Sequence, residues 1–271
     1  MTQTSLAIVA GLGHLPKLLA EASGAVLIRF PGYEQGWHRP DQVIEAEFER
    51  LGALFETLKQ QGIAEVCFAG RVDRPAFRPD RLDSVTTALL PRLSRAISEG
   101  DDAVLRVFAD TIEAAGFTLV SPQQVMPDLL IEDGALGACQ MGSEDLMDAT
   151  KAAHIVRELG KLDIGQAAVV AGGLCLGLET LQGSDALLRF VAAEGRERVP
   201  GGARGVLFKG AKPGQDERMD LPAIGIETLR LAAQAGLAGV AVSAGKAIVV
   251  DRAAVIAEAD RLGLFVTGIP G

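Results

Sequence analysis

Short apolar runs alternate with amphipathic segments along the first half of the chain, and this alternation is the strongest constraint on its fold. The run Leu6–Ala10 stops at two glycines, Gly11 and Gly13, and a helical pattern follows over Leu15–Ser23. Apolar runs of this kind, bounded by glycine and separated by helices, are typical of strands that lie buried in a parallel sheet. The sequence therefore predicts an α/β fold that begins with a Rossmann-like domain.

The other elements predicted for the first half continue this order. Asp101 and Asp102 open the last predicted helix, where the helix dipole favours negative charge. Further strands are predicted at Ala25–Phe30, Gln42–Glu47, Val66–Ala69 and Phe117–Ser121, and further helices at Leu51–Gln61 and Asp101–Ala115.

A stretch rich in proline and glycine, residues 122–142, interrupts the pattern. We place a hinge near Leu130–Gly137 and predict two domains, a Rossmann-like domain over residues 1–133 and a catalytic α/β domain over residues 134–271. Two apolar runs joined by Gly172 and Gly173 predict a hairpin, so the second sheet should be mixed rather than parallel. The strands predicted there are Ala167–Ala171, Leu174–Glu179, Val240–Val242, Ala247–Val250 and Phe265–Thr267, and the helices are Ser143–Leu159, Ser184–Ala192, Glu227–Ala235 and Arg252–Leu262.

Composition narrows the function classes. The 271 residues carry a net charge of −9, which argues against nonspecific binding to nucleic acid. The cysteines Cys67, Cys139 and Cys175 form no C-x-x-C pair, and because Cys67 and Cys175 lie within apolar runs we expect buried free thiols in a reducing compartment. No segment has the roughly 20 apolar residues that span a bilayer, and the first residues lack the basic region of a signal peptide. We expect a cytoplasmic protein.

The first predicted strand leads into a glycine-containing turn. Gly11, Gly13 and His14 stand between this strand and the first helix, which is where a dinucleotide-binding loop approaches phosphate. Pro16 occupies the sixth position of the G-x-G-x-x-G pattern, where glycine or alanine is expected, and this disfavours a standard NAD site. A tight turn and a ligand-binding loop both remain open as explanations.

A second loop with a glycine follows the predicted strand Val66–Ala69. Gly70 and Arg71 come directly after it, and Arg74 lies a few residues further on. Ligands gather at the carboxyl ends of parallel strands. We therefore treat Gly70 and Arg71 as candidate substrate-binding residues, while solvated loop arginines are the alternative.

The segment Gly205–Gly225 packs lysines and carboxylates between a short apolar run and a proline turn. Lys209 and Lys212 precede a cluster that ends in Asp220. Lysine ammonium groups neutralise phosphoryl oxygens, and a carboxylate can hold Mg²⁺ or orient water. The segment suits a site for phosphate with metal or water, and a solvated loop with salt bridges is the alternative.

Polar side chains also flank the hairpin predicted in the second half. One of them, Asp185, is equally well explained as an acidic residue in the first turn of a helix. We hypothesise that an amide, two hydroxyls and this carboxylate converge with Lys212 and Asp220. The four residues are Gln166, Thr180, Ser184 and Asp185.

Several segments, taken in order from the first strand to the last, resemble one family. They are GLGHLP, VCFAGRVDRPAF, GDDAVLR, KLDIGQAAVV, GLETLQGSDALL and KPGQDERMDLPAIGIETL. The chain resembles the UDP-2,3-diacylglucosamine pyrophosphatases of the I type, a family of lipid A biosynthesis. The resemblance is weakest in the loop 31–40 and in the charged stretch 196–204.

The resemblance implies the reaction and some of its residues. Members of this family use a divalent cation, usually Mg²⁺, and direct water at the phosphorus next to uridine, which releases UMP and 2,3-diacylglucosamine 1-phosphate. Asp220 stands at the aspartate of the family's D-L-P-x-I-G motif, and Lys212 stands at the lysine of its K-P pair. Asp220 is then expected to be catalytic, as metal ligand or as base, with Lys212 and Asp185 in support.

The resemblance also implies a lipid-linked sugar nucleotide as substrate and peripheral contact with the inner membrane. No nucleic-acid partner is expected, and a homodimer is left open. Two rival functions remain at this point. One is a non-catalytic protein that binds a sugar-nucleotide lipid, and the other is a nicotinamide-dependent oxidoreductase, against which Pro16 speaks.

Overall fold

The computed structural model describes residues 5–33, 42–72, 78–195 and 199–270. Arg74, one of the two loop arginines considered above, lies outside the described residues. The chain forms two compact units. Unit 1 comprises Met1–Pro127 and Asp216–Asp220, and unit 2 comprises Asp128–Gln215 and Leu221–Gly271. The boundary near residues 133 and 134 stays a prediction.

The described part of unit 1 contains a parallel sheet of five strands in the order β3-β2-β1-β4-β5. This confirms the parallel sheet expected for the first half. The chain builds outward from β1 in one direction and then from β4 in the other, so the order reverses between β1 and β4. The strands are β1 (Leu6–Ala10), β2 (Val26–Arg29), β3 (Val43–Glu45), β4 (Glu65–Ala69) and β5 (Thr118–Val120).

Helices pack against this sheet and form its core. The helices are α1 (Leu15–Ser23), α2 (Leu51–Gln60), α3 (Ser84–Glu99), α4 (Asp101–Ala114) and α5 (Pro122–Val125). Ala7 and Val9 of β1 share one core with residues of α2, α3 and α4, whereas α1 and α5 contact β1 and β4 outside that core. No element was predicted over α3, which contains Pro91 in its interior. The Asp83 carboxylate, which accepts from the Thr86 backbone N–H at 2.8 Å, fixes its start.

Unit 2 is built on a mixed sheet, as predicted. In the described residues its order is β6-β13-β11-β9-β7-β8, with a separate parallel pair, β10 and β12. β9, β11 and β13 are parallel, whereas β6, β7 and β8 run antiparallel to their neighbours, and β7 with β8 forms the expected hairpin. The strands are β6 (Gly134–Leu136), β7 (Ala167–Ala171), β8 (Leu174–Leu178), β9 (Val206–Lys209), β10 (Ala223–Ile224), β11 (Gly239–Ser243), β12 (Ile248–Val249) and β13 (Phe265–Ile269).

Helices cover both faces of this second sheet. They are α6 (Ser143–Lys161), α7 (Gly183–Phe190), α8 (Ile226–Gln234) and α9 (Arg252–Leu262). Ala167 and Leu207 point to the face shared with α7, α8 and α9, and their neighbours Ala168 and Phe208 point to the face covered by α6. This alternation is the period of two that strands impose on side chains.

Two further features of the structure differ from the sequence-based expectations. The stretch predicted as a hinge contains β6, which pairs with β13 of unit 2. The burial predicted for Cys175 is wrong, because β8 is the edge strand of its sheet and exposes this thiol. Cys67 in β4 is buried as predicted, and burial raises the pKa of its thiol to about 12. No helix among the described residues is long and apolar enough to cross a membrane.

Candidate active site

Two loops meet at the carboxyl ends of β1 and β4, where the strand order of unit 1 reverses. We call them the switch-point loops, residues 11–14 and 70–71. The Leu12 N–H donates to the Arg71 carbonyl at 2.7 Å, and the Arg71 N–H donates back to the Leu12 carbonyl at 3.0 Å. Open α/β sheets bind ligands at such a position.

Close approach of the two backbones explains two of the glycines. A Cβ added to Gly11 would lie 2.6 Å from the Arg71 carbonyl oxygen. A Cβ added to Gly70 would lie 2.5 Å from the Leu12 carbonyl oxygen. Gly70 also has a φ of 82°, a conformation that favours glycine. Packing alone therefore accounts for Gly11 and Gly70. Gly13, His14 and Arg71 are exposed at the same edge of the sheet, where a ligand can reach them.

The segment Asp216–Asp220 belongs to unit 1, although the residues on either side of it belong to unit 2. Arg218 forms an ion pair of 2.7 Å with Asp216 inside the segment. A second ion pair of 2.7 Å, to Glu113, attaches the segment to α4. Met219 is buried with Ala109 and Leu119. The hydrogen bonds from Arg218 hold the pKa of Asp216 below its ordinary value, so this carboxylate is committed to an ion pair.

Asp220, the residue with the strongest sequence-based prediction, is half-buried in this segment. Its N–H donates to the Asp216 carbonyl at 3.2 Å. The side-chain amide of Gln123, which follows β5, donates to the Glu217 carbonyl at 3.1 Å. The segment therefore packs against α4 and against β5, the edge strand of the sheet of unit 1.

A metal ion at Asp220 would have few protein ligands. The described residues contain no group of three or more His, Cys, Asp or Glu side chains that could hold a metal. Asp216, whose carbonyl accepts from the Asp220 N–H, has its carboxylate paired with Arg218. Mg²⁺ is often held by only one or two carboxylates, with substrate phosphates as further ligands, and a single carboxylate such as that of Asp220 is compatible with this kind of site.

In unit 2, Lys212 forms an ion pair at the end of α6. Its Nζ lies 2.6 Å from Oδ1 of Asp163, and the side chains are only 10% and 26% exposed, respectively. Asp163 has a φ of 52°, and Gly160 leaves room for Lys212, since a Cβ there would lie 3.2 Å from the Lys212 Cα. Lys212 therefore anchors the charged segment to α6.

Lys209, the last residue of β9, contacts one of the predicted substrate-binding residues. Its Nζ donates to the Ser184 hydroxyl at 2.9 Å and to the Ala223 carbonyl at 3.2 Å. The sequence-based prediction included Lys209 in the segment that suits phosphate but gave it no individual role. Its direction could have been inferred from the strand period, because Lys209 follows Leu207 by two positions and so lies on the side of the sheet that α7 covers.

The remaining predicted residues of unit 2 lie around the same end of the sheet. The Gln166 carbonyl accepts from the Gly210 N–H at 3.0 Å, and its buried side-chain Oε1 has no hydrogen-bond partner among the described residues. Thr180 is exposed and donates to Gln182. Asp185 is exposed and lies 4.0 Å from Arg189. The structure thus brings Ser184 to Lys209 and pairs Lys212 with Asp163.

An apolar groove of about 270 Å³ lies beside these polar groups in unit 2. α7 packs closely on β8, since a Cβ at Gly177 would lie 2.6 Å from Leu187. Leu181 nearby is 82% exposed. The groove is lined by Gly177, Leu178, Thr180, Gln182, Gly183, Ala186, Leu187 and Phe190.

Comparison with known proteins decides the family. The model of the LpxI N-terminal domain matches residues 5–129, and the model of the LpxI C-terminal domain matches residues 132–267. The chain belongs to the LpxI family. One relative within it, the UDP-2,3-diacylglucosamine pyrophosphatase LpxI of Caulobacter vibrioides, is 41% identical over 283 aligned positions, which cover 97% of each chain.

The LpxI matches span both units. The N-terminal match contains the switch-point loops, and the C-terminal match contains Lys209, Lys212 and Asp220. The resemblance described from sequence motifs is thereby confirmed at the level of the family.

Proposed function

We propose that this protein hydrolyses UDP-2,3-diacylglucosamine to UMP and 2,3-diacylglucosamine 1-phosphate. The observation that carries the proposal is the match to the Caulobacter relative, which is 41% identical over 97% of both chains and bears the name of this activity.

The arrangement of residues supports this assignment. In unit 1, Asp220 is half-buried in the segment that packs against α4 and β5, and Gly13, His14 and Arg71 are exposed at the switch-point loops. Unit 2 provides Lys209 and Ser184 close together, which suits a phosphoryl group. The apolar groove beside α7 offers the kind of surface that an acyl chain requires.

The proposed chemistry is a displacement at the phosphorus next to uridine. A P–O bond forms to the attacking water while the bond from this phosphorus to the bridging oxygen breaks, and the sugar 1-phosphate leaves. The attacking water gives up one proton, and Asp220 is placed either to accept it or to hold the metal that orients the water. Lysine side chains offset the charge on the phosphoryl oxygens.

In this proposal Asp220 would hold a divalent cation, Mg²⁺ by preference. When bound, it neutralises charge on the phosphoryl group. Gln166, Thr180 and Asp185 are proposed as supporting residues around the end of α6 and the start of α7, together with Ser184. Lys212 is proposed to act through its ion pair with Asp163, which sets the position of the charged segment.

The test is hydrolysis of UDP-2,3-diacylglucosamine in water enriched in ¹⁸O, with the metal first removed by chelation and then restored as Mg²⁺. We expect metal-dependent turnover with the label in UMP, because the oxygen of the attacking water ends on the attacked phosphorus. Asp220→Asn should lower kcat by at least about 1,000-fold, the scale of a group that stabilises the transition state directly. Asp110→Asn, which removes one carboxylate from the surface of the same unit, is the matched control.

Each alternative has its own signature in this assay. Label in the sugar phosphate would place attack on the other phosphorus, and turnover without metal would remove the cation from the proposal. Near-normal activity of Asp220→Asn would show that the site is misassigned. Tight binding of the lipid nucleotide without product release by the wild type would point to a non-catalytic binding protein.

A further inference from the structure

Lys209 of unit 2 is partly buried although no carboxylate balances its charge within the described residues. Its ammonium group is half-buried and donates to two neutral oxygens, the Ser184 hydroxyl and the Ala223 carbonyl. Within the described residues, no carboxylate forms an ion pair with it. Lys212 and Lys161, by contrast, each contact a carboxylate, at 2.6 Å and 2.7 Å.

The surroundings of Lys209 add further positive potential. Ser184 lies in the first turn of α7, a helix of eight residues, and the N–H groups of a first turn favour an anion. Asp185 follows Ser184, but it is exposed and faces Arg189 at 4.0 Å. Lys209 also lies at the carboxyl ends of the parallel strands β9, β11 and β13, the usual edge for ligands.

A cation that is partly removed from water is costly unless an anion or several hydrogen bonds compensate for the loss of solvation. Here the protein supplies two neutral acceptors, and the third donor of the ammonium group is left for another partner. A hydroxyl and an ammonium 2.9 Å apart can donate together to one phosphoryl group.

We propose that Lys209, with Ser184, forms a phosphoryl-binding subsite in unit 2. Lys209 binds a phosphoryl oxygen through its ammonium group, and Ser184 donates its hydroxyl to the same group. That this phosphoryl group belongs to the substrate's pyrophosphate rests on the proposed function. In the reaction, Lys209 then offsets charge that builds on the phosphate during the displacement, and its loss lowers kcat as well as affinity.

The subsite is tested first by binding to the full-length protein. The probes are inorganic phosphate, and 2,3-diacylglucosamine 1-phosphate compared with its dephosphorylated form. Lys209→Gln keeps a side-chain donor but removes the charge, and we expect it to weaken phosphate-dependent binding about 10- to 100-fold, as for a hydrogen bond to a charged group. Lys209→Arg, which keeps the charge, should recover part of the affinity. Lys161→Gln removes an exposed charge of the same unit and should bind like the wild type.

Turnover then separates this subsite from the reaction itself. We expect Lys209→Gln to lower kcat for UDP-2,3-diacylglucosamine at least about 10-fold, beyond its effect on KM, with the circular dichroism spectrum unchanged. If Lys209→Gln binds both phosphate probes like the wild type, or if the wild type itself shows no phosphate-dependent affinity, the subsite is refuted. If inorganic phosphate binds through Lys209 but the lipid nucleotide is neither bound nor hydrolysed, the subsite stands and the proposed function fails.

Discussion

The carboxyl edges of the two sheets are built in different ways. In unit 1 the switch-point loops hold each other by backbone hydrogen bonds of 2.7 Å and 3.0 Å, and glycines allow the close approach. In unit 2 the corresponding edge is held by side chains, with Lys212 paired to Asp163 and Lys209 bonded to Ser184. A glycine-containing turn after a strand can therefore serve loop packing, whereas the lysines carry the charge that phosphate requires.

Alanine at Gly70 should give the largest effect on stability. Its Cβ would lie 2.5 Å from a backbone oxygen, and the residue has a φ of 82°, so the variant has both a clash and backbone strain. We expect Gly70→Ala to lower the free energy of unfolding of unit 1 by about 3 kcal/mol, as measured by urea denaturation.

Gly13→Ala is the matched control for this change. Gly13 has a φ of 105°, but no atom lies within 4 Å of an added Cβ, so only the strain of about 1 kcal/mol should remain. If the two variants lose equal stability, the close contact between the two loops is not the reason that glycine is needed at position 70. If Gly13→Ala instead loses affinity for the nucleotide, the ligand-binding explanation of this turn gains support.

Removing the Lys212 charge should have the next largest effect on the free energy of unfolding. Lys212→Met leaves the Asp163 carboxylate, 26% exposed, without its ion-pair partner. We expect a loss of about 2 kcal/mol in the free energy of unfolding, less than for a fully buried pair because water still reaches Asp163.

Asp163→Asn completes this test, since asparagine tolerates the positive φ of 52° found at this position. The double variant should be more stable than the sum of the two single losses predicts, because no unpaired charge remains. If the two losses add strictly, the ion pair between Lys212 and Asp163 has no interaction free energy of its own. A loss of activity without any loss of stability would assign Lys212 a direct role in catalysis.

The last prediction concerns the reactivity of two cysteines, one in each sheet, and involves no change in stability. Cys67 lies in β4 inside unit 1, and burial raises its pKa to about 12, so almost no thiolate forms at neutral or mildly alkaline pH. Cys175 lies exposed on the edge strand β8. A thiol reagent should modify Cys175 in the native protein and Cys67 only after unfolding, as read by mass spectrometry of peptides. Rapid native labelling of Cys67 would contradict the buried parallel sheet.

Local patterns predicted most of the elements. The apolar runs of β1, β7 and β13 and the amphipathic pattern of α4 lie where the sequence places them, within a few residues. The failures have different causes. α3 was not predicted, and Pro91 in its interior is a local signal against a helix. Cys175 was wrongly predicted to be buried, because nothing in an apolar run shows that its strand lies at a sheet edge.

The sequence by itself determined the α/β class, the hairpin of unit 2, the family and the candidacy of Asp220. These depend on residue periodicity and on short motifs, which are local in the chain. Tertiary structure decided that Asp216–Asp220 belongs to unit 1, that Lys212 pairs with Asp163 and that Lys209 meets Ser184. The residues of these last two pairs lie 49 and 25 positions apart, respectively, and only the packing of the folded chain brings them within hydrogen-bonding distance.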